Sequence, residues 1–282
     1  MKIKILETPN FHIDGGAYFG VVPKIIWEKK YPADENNMCK AACRSLLIVE
    51  ENRVVLIDTG IGDKPAEENE DLYFTDYSEN LITNLANAGF SPTDITDVVL
   101  THLHFDHCGG CFYINKNTDS YKLYFKNAKH YVTRKQWENA MFPNYREKSS
   151  YHREKLMSLQ DEGSLLFIDE NFRLTKNIEL RIFNGHTPGL MLPVIYSERN
   201  TFFFTGDLIP AMASIPLAWI SAYDLYPLTS IEEKKNILNE ADENNWIFIY
   251  QHDFYNVASY LIKTDRGIRA GNKIEKSEIE TL

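Results

Sequence analysis

Residues 98–110 read VVLTHLHFDHCGG. An apolar run ends there in three histidines and one aspartate within six residues, His102, His104, Asp106 and His107, and Gly109 and Gly110 follow. The chain holds only eight histidines in 282 residues, so this concentration asks for a chemical reason. In a loop leaving a strand, His102 and His104 lie two apart and can point the same way, while Asp106 and His107 turn back from the next bend. Imidazole and carboxylate are ligands of a borderline divalent metal such as zinc. One ion uses three or four protein ligands, so four such groups in one loop suit two adjacent ions better than one.

The flanking sequence says what carries this loop. DVVLTHLHFDHCGG begins as a short buried strand. Upstream, SENLITNLANAGF fits an amphipathic helix from about Ser78, with Leu81, Ile82, Leu85 and Ala86 on one face and Gly89 as its C-terminal cap. Before it, SLLIVEENRVVLIDTG (45–60) reads as a hairpin turning at Glu50-Glu51-Asn52. Its apolar runs are continuous rather than alternating, which predicts strands covered on both faces. This strand–helix–strand order favours a helix-covered sheet. Downstream, residues 133–160 read as helical: Thr133 and Gln136 form a capping box, Pro143 interrupts, and YREKSSYHREKLMSLQ resumes with Tyr151, Leu156 and Leu159. In the second half IELRIF, LPVIYS, TFFFTGD and NWIFIYQHD read as strands, and SIEEKKNILNEA as a helix with the capping box Ser230/Glu233. A histidine or aspartate ends three of the apolar strands: His102, Asp207 and His252. Strand ends of layered folds are where sites are assembled. No repeat, low-complexity tract or long linker divides the chain, so residues 1–282 read as one domain.

Composition narrows the function classes. A formal charge of −10, with no lysine- or arginine-rich block, argues against nucleic acid as a partner, because phosphate binding needs a basic patch. MKIKILETPN places Glu7 and Pro9 where a signal peptide needs an unbroken apolar core. No run approaches the ~18 apolar residues of a membrane span. A cytoplasmic protein without a membrane partner is therefore expected, and nothing in the sequence sets an oligomeric state. The cysteines fall as Cys39/Cys43 and Cys108/Cys111. The second pair reads C-x-x-C, yet no second pair completes a structural zinc site, so free reduced thiols are expected. His12, His130 and His152 lie away from the motif and read as structural or solvated.

The string H-x-H-x-D-H resembles the signature of the metallo-β-lactamase superfamily, and the resemblance runs on in family order over most of residues 40–255. LIDTG (56–60) is similar to the family strand ending in an aspartate behind the ligands, here Asp58. GHTPG (185–189) resembles the segment supplying His186, FFTGD (203–207) the strand supplying Asp207, and YQHD (250–253) the segment supplying His252. The resemblance implies an α/β fold, a four-layer αββα sandwich of two mixed sheets covered by helices. It implies two divalent ions, zinc first with manganese or iron as alternatives: His102, His104 and His186 on one, Asp106, His107 and His252 on the other, Asp207 bridging. A bound metal lowers the pKa of water towards about 7, so hydroxide is available at neutral pH. Asp106 and Asp207 then count as catalytic carboxylates as well as ligands. Two departures stand out: Leu190 follows GHTPG where many relatives have histidine, and Gln251 precedes His252 where lactonase-like relatives often have glycine. Neither residue is in the ligand set. His104 also argues against the iron-binding, oxygen-reducing branch, which tends to carry glutamate there.

GGAYFGVVPKIIWEKKYPADE (15–35) and GDLIPAMASIPLAWISAYDLYPLTSIEEK (206–234) resemble the branch of quorum-quenching lactonases and methyl parathion hydrolases. The second stretch follows Asp207, and its Met212, Ile215, Trp219 and Tyr223 are expected to wall a pocket; apolar lining suits a neutral acyl or ester substrate. The leading expectation is a hydrolase in which a metal-bridging hydroxide attacks a lactone such as an N-acyl homoserine lactone, with Tyr223 hydrogen-bonding the substrate. Phosphotriester or aryl ester hydrolysis is the alternative. A metal-binding module without catalysis is a third reading, whose mark would be a lost ligand, and none is lost.

Overall fold

The computed structural model describes residues 1–63 and 73–281, which form two compact units: Met1–Asn10 with Cys43–Glu170, and Phe11–Ala42 with Asn171–Leu282. Two large mixed sheets with helices make up the fold. The first has six strands in the order Lys2–Asp14, Met38–Val49, Val54–Ile57, Asp97–Val99, Lys129–Thr133, Leu165–Ile168. The second has seven, in the order Gly267–Ile274, Ala258–Thr264, Ile247–Ile249, Thr201–Phe204, Leu190–Tyr196, Ile178–Phe183, Phe172–Arg173.

In the first unit the expected hairpin pairs antiparallel with Leu46 opposite Ile57, and its strand residues Leu46, Leu47, Ile48, Val55, Leu56 and Ile57 are fully buried. Each such side chain contributes about 1.5–3 kcal/mol relative to an exposed one. Val54–Ile57, Asp97–Val99, Lys129–Thr133 and Leu165–Ile168 then run parallel. The connecting helices bury Leu85, Ala140, Leu156 and Leu159 in the same apolar cluster as Leu47, Leu56 and Val98. The first helix spans Leu81–Asn87 rather than starting near Ser78, because the Asn80 side chain accepts from the amides of Ile82 and Thr83 and caps it there. Ala86 is exposed, about 140° around the helix from the buried Leu81, while Gly89 ends the helix at φ +92° as expected.

Residues 133–160 depart further from the sequence reading. A helix spans Arg134–Met141, with Thr133 accepting from the Gln136 amide, but the next α-helix begins only at Arg153, after a single 3-10 turn at Lys148–Ser150. Between them the Asn144 side chain accepts from the amides of Arg146 and Glu147, a local turn that competes with helix. The Glu147 side chain is drawn inward by the bonds described below.

In the second unit Thr201–Phe204 runs parallel to Ile247–Ile249, with Phe203 beside Phe248. Leu192, Val194, Phe203, Phe248, Ile237 and Leu238 share one apolar cluster. The helix expected from Ser230 starts earlier and spans Pro227–Glu243, Pro227 suiting the first position because its missing N–H leaves no bond unmade. Ser230 is therefore inside the helix, not its cap, and Glu233 is free to bond elsewhere. A second apolar cluster gathers Tyr18, Phe19, Trp27, Tyr31 and Ala211 around two short helices, Gly15–Phe19 and Lys24–Trp27, with Trp219 partly buried against it. Among the described residues no helix is long and apolar enough to cross a membrane.

Candidate metal centre

Each unit presents ligand candidates beyond the C-terminal ends of a parallel strand pair, the end of an open α/β sheet where sites form, and the second unit adds His186 from the loop between two antiparallel strands. In the first unit these strands are Val54–Ile57 and Asp97–Val99. Asp58 follows the first at φ +54°, a left-handed backbone that aspartate tolerates better than most residues. Its buried carboxylate accepts from the amide and hydroxyl of Thr101 at 2.7 and 2.8 Å, and Oδ2 lies 2.9 Å from His107 Nδ1. The His107 carbonyl accepts from the Thr59 amide at 2.7 Å, locking the two loops together. Gly109 and Gly110 permit this approach: a Cβ on either would collide with the carbonyl oxygens of Ile61 and Thr59.

His102 and His104 meet as their spacing suggests, with His102 Nε2 3.0 Å from His104 Nδ1. Thr101 Oγ1 lies 3.1 Å from His102 Nδ1. His104 Nε2 lies 3.3 Å from Glu147 Oε2. Glu147 is itself held by the side-chain amides of Asn139 and Asn144 at 2.6 and 2.8 Å and by the Tyr151 hydroxyl at 3.0 Å. Asp106 is partly exposed, its Oδ2 3.6 Å from His107 Nε2. Thus Asp58, His102, His104, Asp106 and His107 are brought together. Glu147 was not anticipated, since it sits in a stretch that reads as a solvated helix.

In the second unit three loops contribute. Asp207 and His252 each lie three residues beyond a strand, after Phe204 and Ile249. His186 lies in the loop before Leu190–Tyr196. The Asp207 carboxylate faces a different imidazole with each oxygen: Oδ1 is 2.9 Å from His252 Nε2, and Oδ2 is 3.1 Å from His186 Nε2. The far nitrogens are committed. His252 Nδ1 lies 2.8 Å from the Ala42 carbonyl, which can only accept, so Nδ1 carries the hydrogen. His186 Nδ1 lies 3.0 Å from Asp224 Oδ1. Asp224, the neighbour of the expected Tyr223, is buried and was missed; its only sequence signal is a lone carboxylate inside an aromatic stretch.

The segments behind these residues are fastened too. Glu233 accepts from the amides of Asn184 and Gly185 at 2.7 and 3.0 Å. The His252 carbonyl accepts from the Ala42 amide at 3.2 Å and from the Tyr18 hydroxyl at 3.2 Å. Asp253 takes the amides of Met212, Tyr255 and Asn256, although burial still raises its pKa.

Of the four residues expected to wall a pocket, Tyr223 is 42% exposed, Trp219 and Met212 are partly buried, and Ile215 is fully buried in an apolar cluster. All four cysteines are buried thiols outside any disulfide. Burial pushes the Cys111 thiol up to about 12 and raises Cys108 well above its usual value, so neither is a thiolate at neutral pH. His130 is a buried strand residue whose pKa burial lowers to about 4.

The donor set fits divalent cations. With Nδ1 protonated on both His186 and His252, each Nε2 turns a lone pair toward an Asp207 oxygen, and positive charge is needed between acceptors so placed. Carboxylates and carbonyls on the far imidazole nitrogens are the outer partners typical of metal-bound histidine.

The fold and the motifs point to one family, and the family model of the metallo-beta-lactamase superfamily matches residues 41–252. The chain belongs to that superfamily. A probable metal-dependent hydrolase from Staphylococcus aureus shares its structure at a TM-score of 0.85 with 30% identity, over 97% of this chain and 98% of that one. AidC, a dizinc quorum-quenching lactonase solved with a product, aligns at a TM-score of 0.78 and 23% identity over 97% and 94%, a likeness of fold. In sequence, an N-acyl homoserine lactonase from Bacillus cereus is 26% identical over 165 residues, covering 55% of this chain and 58% of the relative. The chain thus spans little more than half the length of the curated relatives it matches.

Proposed function

We propose that this chain is a dinuclear metal-dependent hydrolase that opens lactones, with N-acyl homoserine lactones as the leading substrate class. The observation that carries the reading is Asp207, whose two oxygens address two imidazoles already fixed from behind. A carboxylate so placed suits one shared by two ions. In this proposal His102, His104 and His186 would hold one ion and Asp106, His107 and His252 the other, with Asp207 available to both, as the family motif implies. Two bound divalent cations, zinc first, would supply Lewis acidity and hydroxide at neutral pH.

The protein's own part is orientation. Asp58, Asp224, Glu147 and the Ala42 carbonyl hold the imidazoles so that the opposite nitrogens face inward. Asp106 and Asp207 are the carboxylates at the reacting centre. Tyr223 offers its hydroxyl to the substrate, and Met212, Ile215 and Trp219 belong to the apolar wall or its backing. In the overall reaction water adds to the lactone carbonyl carbon, the ring C–O bond breaks, and a hydroxy acid leaves. The chain functions as one domain without nucleic acid or membrane as partner, in the cytoplasm. Lactonase names among the sequence relatives support the substrate class.

Elemental analysis of gently purified protein, paired with a panel of lactones and phosphotriesters, tests this. Close to two metal equivalents and preferred lactone turnover are expected. One tightly held equivalent with full activity would overturn the dinuclear reading, and rapid phosphotriester cleavage without lactone turnover would replace the substrate class.

A further inference from the structure

The helix Pro227–Glu243 carries a lysine where a core residue is expected. Lys234 is fully buried, one turn before Ile237 and Leu238, which belong to the apolar cluster. Its Nζ lies 2.9 Å from the carbonyl oxygen of Pro216 and 2.9 Å from that of Trp219. Those two carbonyls bracket a tight turn, closed by the Trp219 amide donating to Pro216 at 2.8 Å, and Leu217 at its tip is exposed. Leucine or methionine at position 234 would fill the space without the desolvation penalty of an amine, so the donors themselves need explaining.

We propose that Lys234 is a positioning residue for substrate specificity: it pins residues 216–219 to the helix, and so sets where Trp219 and the following Tyr223 stand for a substrate's acyl chain. This rests on the reading above that residues 208–226 wall the pocket. The rest of the segment is tied by other means. Met212 donates to Asp253, Ala222 to the Ala17 carbonyl, and Leu225 and Tyr226 to the carbonyls of His186 and Gly185. Between Met212 and Ala222, Lys234 supplies a tie that comes from beneath the turn. Trp219 then meets Phe19 edge-on at 5.8 Å, and Phe19 stacks on Trp27 at 5.1 Å, so the turn's position is passed to a large aromatic surface. Burial lowers the lysine pKa to about 7, and a neutral amine still has the two N–H groups that two carbonyls require.

The neighbouring residue makes the test selective. Glu233 faces the segment carrying His186, holding the amides of Asn184 and Gly185, and Ser230 packs so closely on Gly185 that a Cβ there would collide with it. Lys234→Met should therefore loosen residues 214–222 and leave 184–189 as they are. Amide hydrogen exchange should rise about tenfold or more at 214–222 while 184–189 and the metal content hold; Lys234→Arg, which keeps the donors, should restore most of the protection. Exchange unchanged at 214–222, or raised equally over the whole unit, overturns the proposal. If Lys234→Met does not fold, the wild type decides with a ¹⁵N-labelled lysine side chain. Slowly exchanging Nζ protons coupled to the carbonyls of Pro216 and Trp219 support the tie, and freely exchanging ones overturn it. The substrate arm separates the two layers of inference. KM for long-chain lactones should rise more than for the shortest, erasing a gain of roughly fourfold per buried CH₂. Local loosening with an unchanged chain-length series keeps Lys234 as a structural pin but removes its specificity role and the wall reading with it. An enzyme that turns over no lactone in either form refutes the substrate reading and leaves the exchange result standing.

Discussion

The two units prepare their ligand candidates in different ways. In the first, His102, His104, Asp106 and His107 come from one loop and a single helical turn, and Asp58 on the adjacent strand end holds that loop through Thr101 and His107. In the second, His186, Asp207 and His252 come from three loops, each fastened separately: by Glu233 and Asp224, by the two strands' parallel pairing, and by Ala42, Tyr18 and Tyr31. A one-loop set is organised by local geometry. A three-loop set needs tertiary partners for every member, so its weak points are spread over the unit.

That contrast predicts where damage is greatest. Asp207 is the one side chain of the second set that faces two imidazoles, so Asp207→Ala should lower metal content and rate together, the rate on the order of 10²–10³-fold, the scale of losing one preorganised electrostatic group. Metal analysis and steady-state kinetics on the same preparation check it. Full activity in this variant would remove Asp207 from the reacting centre and leave the one-loop set to act alone.

A histidine outside both sets separates stability from chemistry. Burial lowers His130 to about 4 from its ordinary value of 6.5, so the folded state disfavours the charged ring that the unfolded chain accepts. The sign follows: the stability is complete above pH 6.5 and is lost as pH falls toward 4, to a limit of about 3 kcal/mol. Denaturant unfolding of wild type and His130→Phe across that window checks it, because the two proteins differ only at this ring. Parallel curves would show that His130 gains its proton without cost.

Next come the residues that hold the ligand candidates from behind. Asp58→Ala and Asp224→Ala should each weaken metal affinity by about 10- to 100-fold. Asp58 should lie at the upper end, because it orders a whole loop and because alanine is strained at φ +54°. Asp58→Asn should be milder than Asp58→Ala, since asparagine accepts that backbone. Competition with a chromophoric chelator ranks the three. Asp224→Ala exceeding Asp58→Ala would reverse the comparison and make the three-loop set the more dependent on a single anchor.

The same contrast governs what was legible in the sequence. The H-x-H-x-D-H string, the hairpin before it and the strand-end residues Asp207 and His252 are written in local pattern; that pattern points to a helix-covered sheet, and the family resemblance of the motifs implies the rest of the fold. Glu147 was hidden because an Asx turn at Asn144 outcompetes the helix that the periodicity of 145–160 suggests. Asp224 was hidden because its partner, His186, is distant in sequence and meets it only in the folded unit. Ser230 and Glu233 have capping-box spacing, yet a helix starting at Pro227 leaves Glu233 to hold Gly185 instead. Partners that act at a distance leave no periodic trace.

The smallest effect concerns Trp219, which belongs to neither ligand set and should sharpen the comparison by leaving both intact. It is partly buried against the cluster of Phe19 and Trp27 and follows the turn held by Lys234. If this surface receives an acyl chain, each added CH₂ that it covers should raise kcat/KM by roughly fourfold, until the surface is filled. Trp219→Ala should flatten that series with metal content unchanged, because the indole packs on Phe19, one ring removed from the Tyr18 and Tyr31 hydroxyls that bond the His252 carbonyl. The measurement is a chain-length series of lactones on wild type and variant, with metal analysis on both. A flat wild-type series would place the acyl chain away from this surface. An unchanged slope in the variant would assign the length preference to other side chains. Loss of metal in Trp219→Ala would be the most instructive failure, since it would tie the apolar wall to the three-loop set and make the second unit's ligands depend on its core.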